Sequence, residues 1–471
     1  MAELAEPKRE LEKFEANTLS KNQFSASREI HRQRAAPDKR LKTGIWGPNL
    51  ADWRDIVEDF VHIARIRYDN KLAMVQLQLN LLEYVGESQK NIKMFKEILK
   101  NPENMAKYTD DTAIIENPNL DDVERQKVRE ELLLSAFLDI GDSHMWRILK
   151  YDRPLLYIIG RHMSAGPMQY GPGLISELHG WGHSILNTDV SHFIINSITN
   201  FGRIGDLLSR QADGTIEVIE IKSKARGRGA HWKDRLERQD HVRMNFLSFA
   251  NSGEGVIDNT SVRILESTVK LKTSLKILHS GLREADSAGV VIRKINPYMN
   301  VVILDFQILG EKDDQRAAKR AIDKAKNDWV IPSKNVLVLG SPDRQEFSPS
   351  RTPLSSMPFD DAFIADLLLH KKIILYSINI DILVDKFRQL DWELIPADVD
   401  PNDKAAMKEG PIWLLKKGKH AIGFPAIALN LLFYDTLSLS SLVDQMDEFV
   451  KGRSVEGGFF IRFVGEERVW R

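Results

Sequence analysis

Cysteine is absent from this chain of 471 residues. That absence excludes disulfide bonds, thiolate zinc sites and iron–sulfur clusters held by cysteine. It fits a reducing compartment, and we therefore expect a cytoplasmic protein. A long apolar run is also missing, because the longest one, residues 421–433, contains Pro425 and Asn430 and is too short to span a bilayer. The N-terminal segment has no apolar signal core, so we expect no membrane partner.

A large net charge is absent as well. The formal net charge is −1, so the chain as a whole does not attract a polyanion, and any nucleic-acid site must be a local patch. Apolar residues make up 42% of the chain and charged residues 28%, as in ordinary globular proteins. The length exceeds what one core usually supports, which predicts two or three domains.

The first part of the chain divides into an arm and a helical module. Residues 1–45 are polar, with seven Lys or Arg between residues 21 and 42, which predicts a basic, flexible arm. The arm is either a solvated leader or a contact for nucleic acid or another subunit. Residues 46–160 carry apolar side chains at spacings of three and four, which predicts a module of long helices. Such a module could arrange a homo-oligomer or grip a duplex.

Asp206, Glu220 and Lys222 lie in a candidate β-hairpin. Strand residues alternate between two faces, so Glu220 and Lys222 share one face with the apolar residues Ile216 and Val218. The three functional side chains stand among β-formers, which favours a chemical role over an ordinary exposed hairpin.

The turn of this hairpin decides whether the two acids meet. If residues 212–214 form a three-residue loop, Gln211 faces Thr215 and Asp206 lies opposite Glu220. A two-residue loop would slip the register by one and move Asp206 to the other face. We predict the three-residue loop. Two carboxylates facing each other repel, and a bound divalent cation would reverse that repulsion.

A basic segment follows the hairpin. Between Lys222 and Arg243 there are eight Lys or Arg against three acids, a local net charge of +5. Such a run is often only a solvated face, but here it could steer a phosphate backbone to the acids. The candidate nucleic-acid-binding residues of this segment are Lys224, Arg226, Arg228, Lys233 and Arg235. Gln239, further along the segment, could reach the lysine or a phosphate. Upstream, Glu177 is either a third acid of the site or a surface glutamate.

The order of these elements resembles the PD-(D/E)XK nuclease superfamily over residues 174–250. The motif consists of a helix with Glu177, a strand with Gly205-Asp206, a strand with Glu220-Ile221-Lys222 and a helix with Gln239. Gly205 replaces the proline of the family's name. The resemblance implies a restriction-endonuclease-like αβββαβ core with a mixed sheet, in an overall α/β (α+β) chain.

The resemblance also implies roles for the residues. Asp206 and Glu220 would be metal ligands and Lys222 would lie beside the attacking water, with Glu177 as a further ligand and Gln239 as a further catalytic residue. Phosphodiester cleavage needs a nucleophilic water and neutralised phosphate charge, and Mg²⁺ (or Mn²⁺) held by carboxylates supplies both. The Ile221 carbonyl could complete the metal shell, and Lys222 would orient or help to deprotonate the water.

The remaining chain is assigned to the rest of the nuclease domain and to an appendage. We expect a nuclease domain over residues 165–390, with a helical stretch near 261–284. Strands near 300–306 and 335–340 would complete a mixed sheet through a right-handed crossover. A strand at 372–376 before a helix gives this part a resemblance to Shedu-type antiphage nucleases. Residues 391–471 are expected to form a small α/β appendage.

These observations predict a Mg²⁺-dependent deoxyribonuclease, with DNA as partner, in defence against foreign DNA or DNA processing. Two rival hypotheses remain open. One is a nucleic-acid-binding or scaffold protein whose nuclease fold is inactive, and the other is a helical assembly subunit with a structural hairpin.

Overall fold

The computed structural model describes a defined part of the chain. The described residues are 51–66, 68–103, 120–161, 190–200, 206–219, 230–257, 259–309, 316, 320, 323–324, 336–340, 352–396, 413–418, 420–424, 432–452 and 458–463. The chain divides into two compact units, the first formed by residues up to 149 with 158–253 and the second by residues 150–157 with 254 onward. The predicted basic arm lies outside the described residues, and the predicted domain boundaries stay predictions.

Long helices open the first unit, as the spacing of apolar residues predicts. They are α1 (Ala51–Ile66), α2 (Lys71–Lys100) and α3 (Leu120–Ile148). The shorter α4 (Arg153–Arg161) follows, and its residues 153–157 belong to the second unit. Helix α2 begins after Asn70, whose side chain accepts a hydrogen bond from the Ala73 amide at 3.1 Å. This is an ordinary N-cap, in which a side-chain oxygen satisfies one of the free amides of the first turn.

An aromatic cluster joins the first three helices. Trp53 and Phe60 from α1 meet Tyr84 from α2 and Phe137 from α3. Tyr84 and Phe137 stack with ring centroids 5.0 Å apart, while Trp53 meets Tyr84 edge-on at 5.6 Å. All four side chains are buried, so the helices share one apolar core.

A three-stranded antiparallel sheet and a helix complete the described part of the first unit. The strands are β1 (Val190–Ile195), β2 (Leu207–Gln211) and β3 (Ile216–Ile219), in the spatial order β1-β2-β3, and the helix is α5 (Ala230–Ser252). Phe246 and Phe249 of α5 are fully buried. The Asn251 side chain accepts from the Ile216 amide at 3.2 Å and donates to the Ile216 carbonyl at 3.4 Å, which ties the end of α5 to the start of β3.

The second unit is α/β. Its first elements are β4 (Glu254–Ile257), β5 (Thr260–Ser267), α6 (Leu275–Ala288), β6 (Val290–Asn296), β7 (Met299–Asp305), α7 (Phe306–Leu309), β8 (Val336–Gly340), α8 (Asp361–Leu368) and β9 (Lys372–Asn379). They are followed by α9 (Ile380–Arg388), β10 (Glu393–Pro396), β11 (Trp413–Lys417), β12 (His420–Phe424), α10 (Leu439–Gly452) and β13 (Gly458–Phe463). The mixture of helices with small sheets confirms the predicted α+β class.

The expected helical stretch at 261–284 is wrong in its first part. Residues 260–267 form strand β5, and helix α6 begins only at Leu275. Strand β5 pairs antiparallel with β4 and parallel with β13, a partner almost 200 residues later in the chain. The local sequence does not contain these partners, and their ladders decide between strand and helix.

The sheet predicted around residues 300 and 335 is also corrected. Strands β7 and β8 do lie in one sheet, but its order is β6-β7-β9-β8, so β9 separates them. Every ladder of this sheet is antiparallel, where a mixed sheet was expected. The physical reason is that β9 inserts between the two, a long-range pairing that hydrophobic periodicity does not encode.

Candidate functional site

The turn between β2 and β3 has the predicted three-residue loop. The Gln211 amide donates to the Thr215 carbonyl at 2.8 Å, and the Gly214 amide donates to the Gln211 carbonyl at 3.0 Å. Gly214 has φ +94°, a conformation that favours glycine because it has no Cβ. The Asp213 carboxylate accepts from the Thr215 amide at 2.8 Å, and the hydrogen bonds from Thr215 lower the pKa of Asp213.

The register that follows from this loop is the one predicted for a meeting of the two acids. Arg210 pairs with Ile216, and the ladder continues regularly to the pair of Leu207 and Ile219. The ladder therefore ends one pair before Asp206 and Glu220. Since Glu220 lies outside the described residues, the distance between the two carboxylates is not described, and their pairing stays a prediction.

Asp206 stands at the start of β2, between the two neighbouring strands. Its amide donates to the Ile219 carbonyl at 3.0 Å, and its carbonyl accepts from the Asn196 amide at 3.0 Å. The residue is half-buried. The backbone of Asp206 is therefore hydrogen-bonded to the strands on both sides.

The two faces of β3 differ as the alternation predicts. Ile216 and Val218 are buried, while Glu217 between them is exposed and accepts a hydrogen bond from Gln211 at 2.7 Å. The inner face is thus the face to which the sequence assigns Glu220 and Lys222.

The other predicted site residues cannot be placed. Those outside the described residues are Glu177, Glu220, Ile221, Lys222, Lys224, Arg226 and Arg228. Lys233, Arg235 and Gln239 belong to α5, but their side chains are not described. The described part of the predicted site is therefore Asp206 with the turn and the ladder beside it.

Gln78 of α2 bonds to the outer edge of β1, which is the edge that faces away from β2. Its side-chain Nε2 donates to the Phe193 carbonyl at 2.9 Å, and its Oε1 accepts from the Ile195 amide at 2.8 Å. Gln78 is fully buried. A single side-chain amide thus bonds two buried backbone groups, and leaving such a group without a partner costs about 1–3 kcal/mol.

His144 of α3 is a second side chain that hydrogen-bonds to β1. Its Nε2 lies 2.8 Å from the Phe193 carbonyl, so the neutral ring donates through Nε2. Burial lowers the pKa of His144 from 6.5 to about 3, and the neighbouring Arg147 and His192 act in the same direction while the bond to Phe193 opposes them. His144 is therefore uncharged at neutral pH.

Helix α3 also approaches the 3₁₀ turn that follows β1 (Asn196–Ile198). A Cβ at Gly141 would overlap the Ile198 carbonyl oxygen, so only glycine permits this approach. At the next residue, the Asp142 carboxylate accepts hydrogen bonds from the backbone amide of Asn200 at 2.8 Å and from the side-chain amide of Asn200 at 2.6 Å. Burial raises the pKa of Asp142, against the lowering effect of both Asn200 hydrogen bonds.

The C-terminal end of α3 is hydrogen-bonded to β2. Arg210 of β2 donates to the Ile148 carbonyl at 3.0 Å, which satisfies one of the free carbonyls at the helix C-terminus. Helices α2 and α3 are thus joined to the sheet of the first unit through polar contacts at β1 and β2.

A separate charged cluster lies in the second unit, and the sequence analysis missed it. The Lys372 ammonium lies 2.8 Å from Asp305, 2.9 Å from Asp366 and 2.8 Å from Asp286. Burial alone would lower the pKa of Lys372, but the hydrogen bonds and charges of the three aspartates outweigh it and raise the pKa. Because the ammonium occupies the centre of the carboxylates, the cluster is an internal ion pair that holds β7 to β9.

Gln78 and His144 carry a sequence signal that was not used. Gln78 stands four residues after Met74 and three before Leu81, within the buried stripe of α2, and His144 follows Phe137 and Ile140 at the same spacing in α3. A polar residue at a stripe position is buried with the stripe and must find a partner there.

Neither the described side chains nor comparisons with known proteins identify a family or a ligand. Among the described residues, no group of three or more acidic or histidine side chains is arranged to hold a metal ion. No helix in the described ranges has the length and apolar character needed to cross a membrane. No protein-family model, curated protein or solved structure matches this chain.

Proposed function

We propose that the protein is a metal-dependent nuclease that hydrolyses phosphodiester bonds of DNA. The observation that carries the proposal is the three-residue loop with its register, because this is the arrangement in which Asp206 and Glu220 can act together. The fixed backbone of Asp206 and the buried inner face of β3 add support. DNA processing or defence against foreign DNA would use this activity.

The finer fold is part of the same proposal. The order β1-β2-β3-α5 corresponds to the βββα segment of a restriction-endonuclease-like αβββαβ core. The helix expected to carry Glu177 lies outside the described residues. The next strand along the chain, β4, pairs with β5 in a separate sheet, so the final strand of such a core is not identified among the described strands.

The proposed donor set consists of hard oxygen ligands, which suits Mg²⁺ or Mn²⁺. Asp206 and Glu220 would hold the ion with the Ile221 carbonyl, and Glu177 would be a further ligand. The bound ion would supply an activated water and neutralise charge on the phosphate oxygens. This carboxylate and carbonyl set contains neither cysteine nor histidine, in keeping with a chain that has no cysteine.

The residues of the chain have separate tasks in this mechanism. Lys222 donates a hydrogen bond to the attacking water and stabilises charge that develops on the phosphate. Gln239 orients Lys222 or a phosphate oxygen. Lys224, Arg226, Arg228, Lys233 and Arg235 bind the phosphate backbone, so DNA affinity should fall with added salt.

The test is a cleavage assay across substrates and metals. Purified protein is incubated with plasmid, linear duplex, single-stranded DNA and RNA in Mg²⁺, Mn²⁺ or EDTA, beside Asp206→Asn and Lys222→Ala. We expect DNA cleavage that needs the metal and falls at least about 100-fold in each variant, as for the loss of other electrostatic groups in active sites. Cleavage that survives both substitutions contradicts the proposal. Metal-independent DNA binding without cleavage would favour an inactive nuclease fold that serves as a scaffold.

A further inference from the structure

The outer edge of β1 is closed by side chains of the helical module. Strand β1 has β2 on one side, in the order β1-β2-β3. On its other side, Gln78 bonds both the Phe193 carbonyl and the Ile195 amide, the donor and acceptor that a further strand would engage. His144 adds a second donor to the Phe193 carbonyl. Gln78 thus makes the two hydrogen bonds that a neighbouring strand would make with this edge.

The same stretch of β1 is bonded directly to Asp206. Ile195, held by Gln78, is followed by Asn196, whose amide donates to the Asp206 carbonyl at 3.0 Å. Two backbone residues therefore separate the Gln78 contacts from the backbone of the proposed metal ligand. The Asp206 amide in turn bonds β3 through the Ile219 carbonyl, so β1 and β3 hold Asp206 between them.

These contacts are well suited to hold a fixed geometry. Gln78, His144 and Asn196 are all nearly inaccessible to solvent, with 0%, 1% and 2% of their surfaces exposed. Gln78 carries no charge, and burial keeps His144 neutral, so the contacts do not change with pH near neutrality. Buried hydrogen bonds of this kind restrict the strand to one position.

We infer that Gln78 and His144 are positioning residues for Asp206, and that helices α2 and α3 help to set the geometry of the proposed metal site. This inference rests on the proposed nuclease function for its catalytic consequence. It assigns the helical module a role in the geometry of catalysis, in addition to any role in assembly or duplex contact. Outer partners that orient a metal ligand typically change metal affinity by about 10- to 100-fold when they are lost.

The test compares Gln78→Met with the matched control Gln126→Met. Methionine keeps the length of glutamine but has no amide, so the first variant loses both bonds to β1. Gln126 is also a buried glutamine of the same helices, on α3, and its described hydrogen bond goes to Arg129 at 3.5 Å rather than to the sheet. Three quantities are measured: the hydrogen exchange of the Asn196 and Asp206 amides, the Mg²⁺ concentration for half-maximal cleavage, and the KM for DNA.

The expected result is specific to Gln78. In Gln78→Met the two amides exchange faster and the Mg²⁺ requirement rises about tenfold, while the KM for DNA changes less than about twofold. Gln126→Met is expected to lower the thermal midpoint but to keep the wild-type exchange and Mg²⁺ requirement. Gln78→Asn, which retains the amide on a side chain one methylene shorter, is expected to fall between the wild type and Gln78→Met, and it serves for the comparison if Gln78→Met does not fold.

Two results overturn the inference. One is wild-type exchange at Asn196 and Asp206 in both Gln78 variants. The other is the same rise in Mg²⁺ requirement in Gln126→Met, which would make the effect one of general stability. A wild-type protein that cleaves no substrate contradicts the proposed function instead, and the exchange measurement then still decides whether Gln78 positions Asp206.

Discussion

His144 shows how burial fixes the charge of a single residue and makes stability depend on pH. Its pKa is about 3 in the folded protein, against 6.5 for an exposed histidine, chiefly because burial disfavours the charged ring. The unfolded chain therefore binds a proton more readily than the folded one between these two values. Stability from this residue is complete above about pH 6.5 and is lost as the pH falls toward 3, at up to about 1.4 kcal/mol per pH unit.

We therefore expect acid to destabilise the wild type more than His144→Gln. Urea denaturation of both proteins between about pH 4 and pH 7 measures this difference. Asp142 acts in the opposite direction, since burial raises its pKa, but it is present in both proteins and cancels in the comparison. Parallel pH profiles would show that His144 is not held neutral in the fold.

At the scale of single residues, the sequence identifies chemistry better than it identifies support. Asp206, Glu220 and Lys222 stand out because acids and a lysine are unusual among β-formers. Gln78 and His144 do not stand out, because a glutamine in α2 or a histidine in α3 is common, and their importance depends on contacts to a strand more than 45 residues away in the sequence.

At the scale of elements, a variant of the β2–β3 hairpin can test whether the register controls the site. Deletion of Ser209 from β2 would keep the loop but slip the residues before it by one against β3, which moves Asp206 to the other face of the sheet. We expect DNA cleavage to fall at least about 100-fold, as for the removal of a catalytic group. The control is Ala212→Gly, which keeps the length of the loop and of β2 and should retain activity. A deletion variant with wild-type cleavage would show that the register does not control the site.

The ion pair between β7 and β9 makes a second prediction at this scale. Lys372→Met would leave Asp305 and Asp366, with side chains 2% and 4% exposed, without their shared cation. We expect a loss of about 3–5 kcal/mol in the free energy of unfolding, because a buried charge loses its partner. Arg388→Met is the control, since its ion pair with Asp385 is exposed and should contribute less than about 1 kcal/mol.

Denaturant titration of both variants measures the difference in unfolding free energy. A loss in Lys372→Met no larger than in Arg388→Met would mean that the aspartates are solvated in solution. The sequence could not predict this cluster, because Asp286, Asp305, Asp366 and Lys372 come from four different elements. Asp305 and Lys372 meet only because β7 and β9 pair, and that pairing skips β8.

The elements themselves were predictable where the signal is local. Helices α1 to α3 follow from apolar residues at spacings of three and four, and the hairpin turn follows from Gly214 and its neighbours. Strand β5 was missed because its partners β4 and β13 are needed to distinguish it from a helix. Periodicity predicts which face is buried, and pairing across the chain decides the rest.

At the scale of the whole molecule, the α+β class was predictable and the partition into sheets was not. The described residues form several small sheets, and two of them depend on strands that are not neighbours in the sequence: β13 lies beside β5, and β9 lies between β7 and β8. In the first unit, by contrast, β2 and β3 are joined by a short loop, so their pairing could be predicted from the turn alone. The turn and the register at the candidate site were predictable because they are local, while the meeting of Asp206 with Glu220 stays a prediction.

The measurement that tests the central claim most directly is plasmid cleavage by two glutamate variants of one hairpin. Glu220→Gln removes a proposed metal ligand from the inner face, while Glu217→Gln makes the same chemical change at the exposed residue three positions earlier. With Mg²⁺ present, we predict that Glu220→Gln loses at least about 100-fold in rate and that Glu217→Gln cleaves like the wild type. Equal rates in the two variants would contradict a metal-dependent nuclease centred on this hairpin.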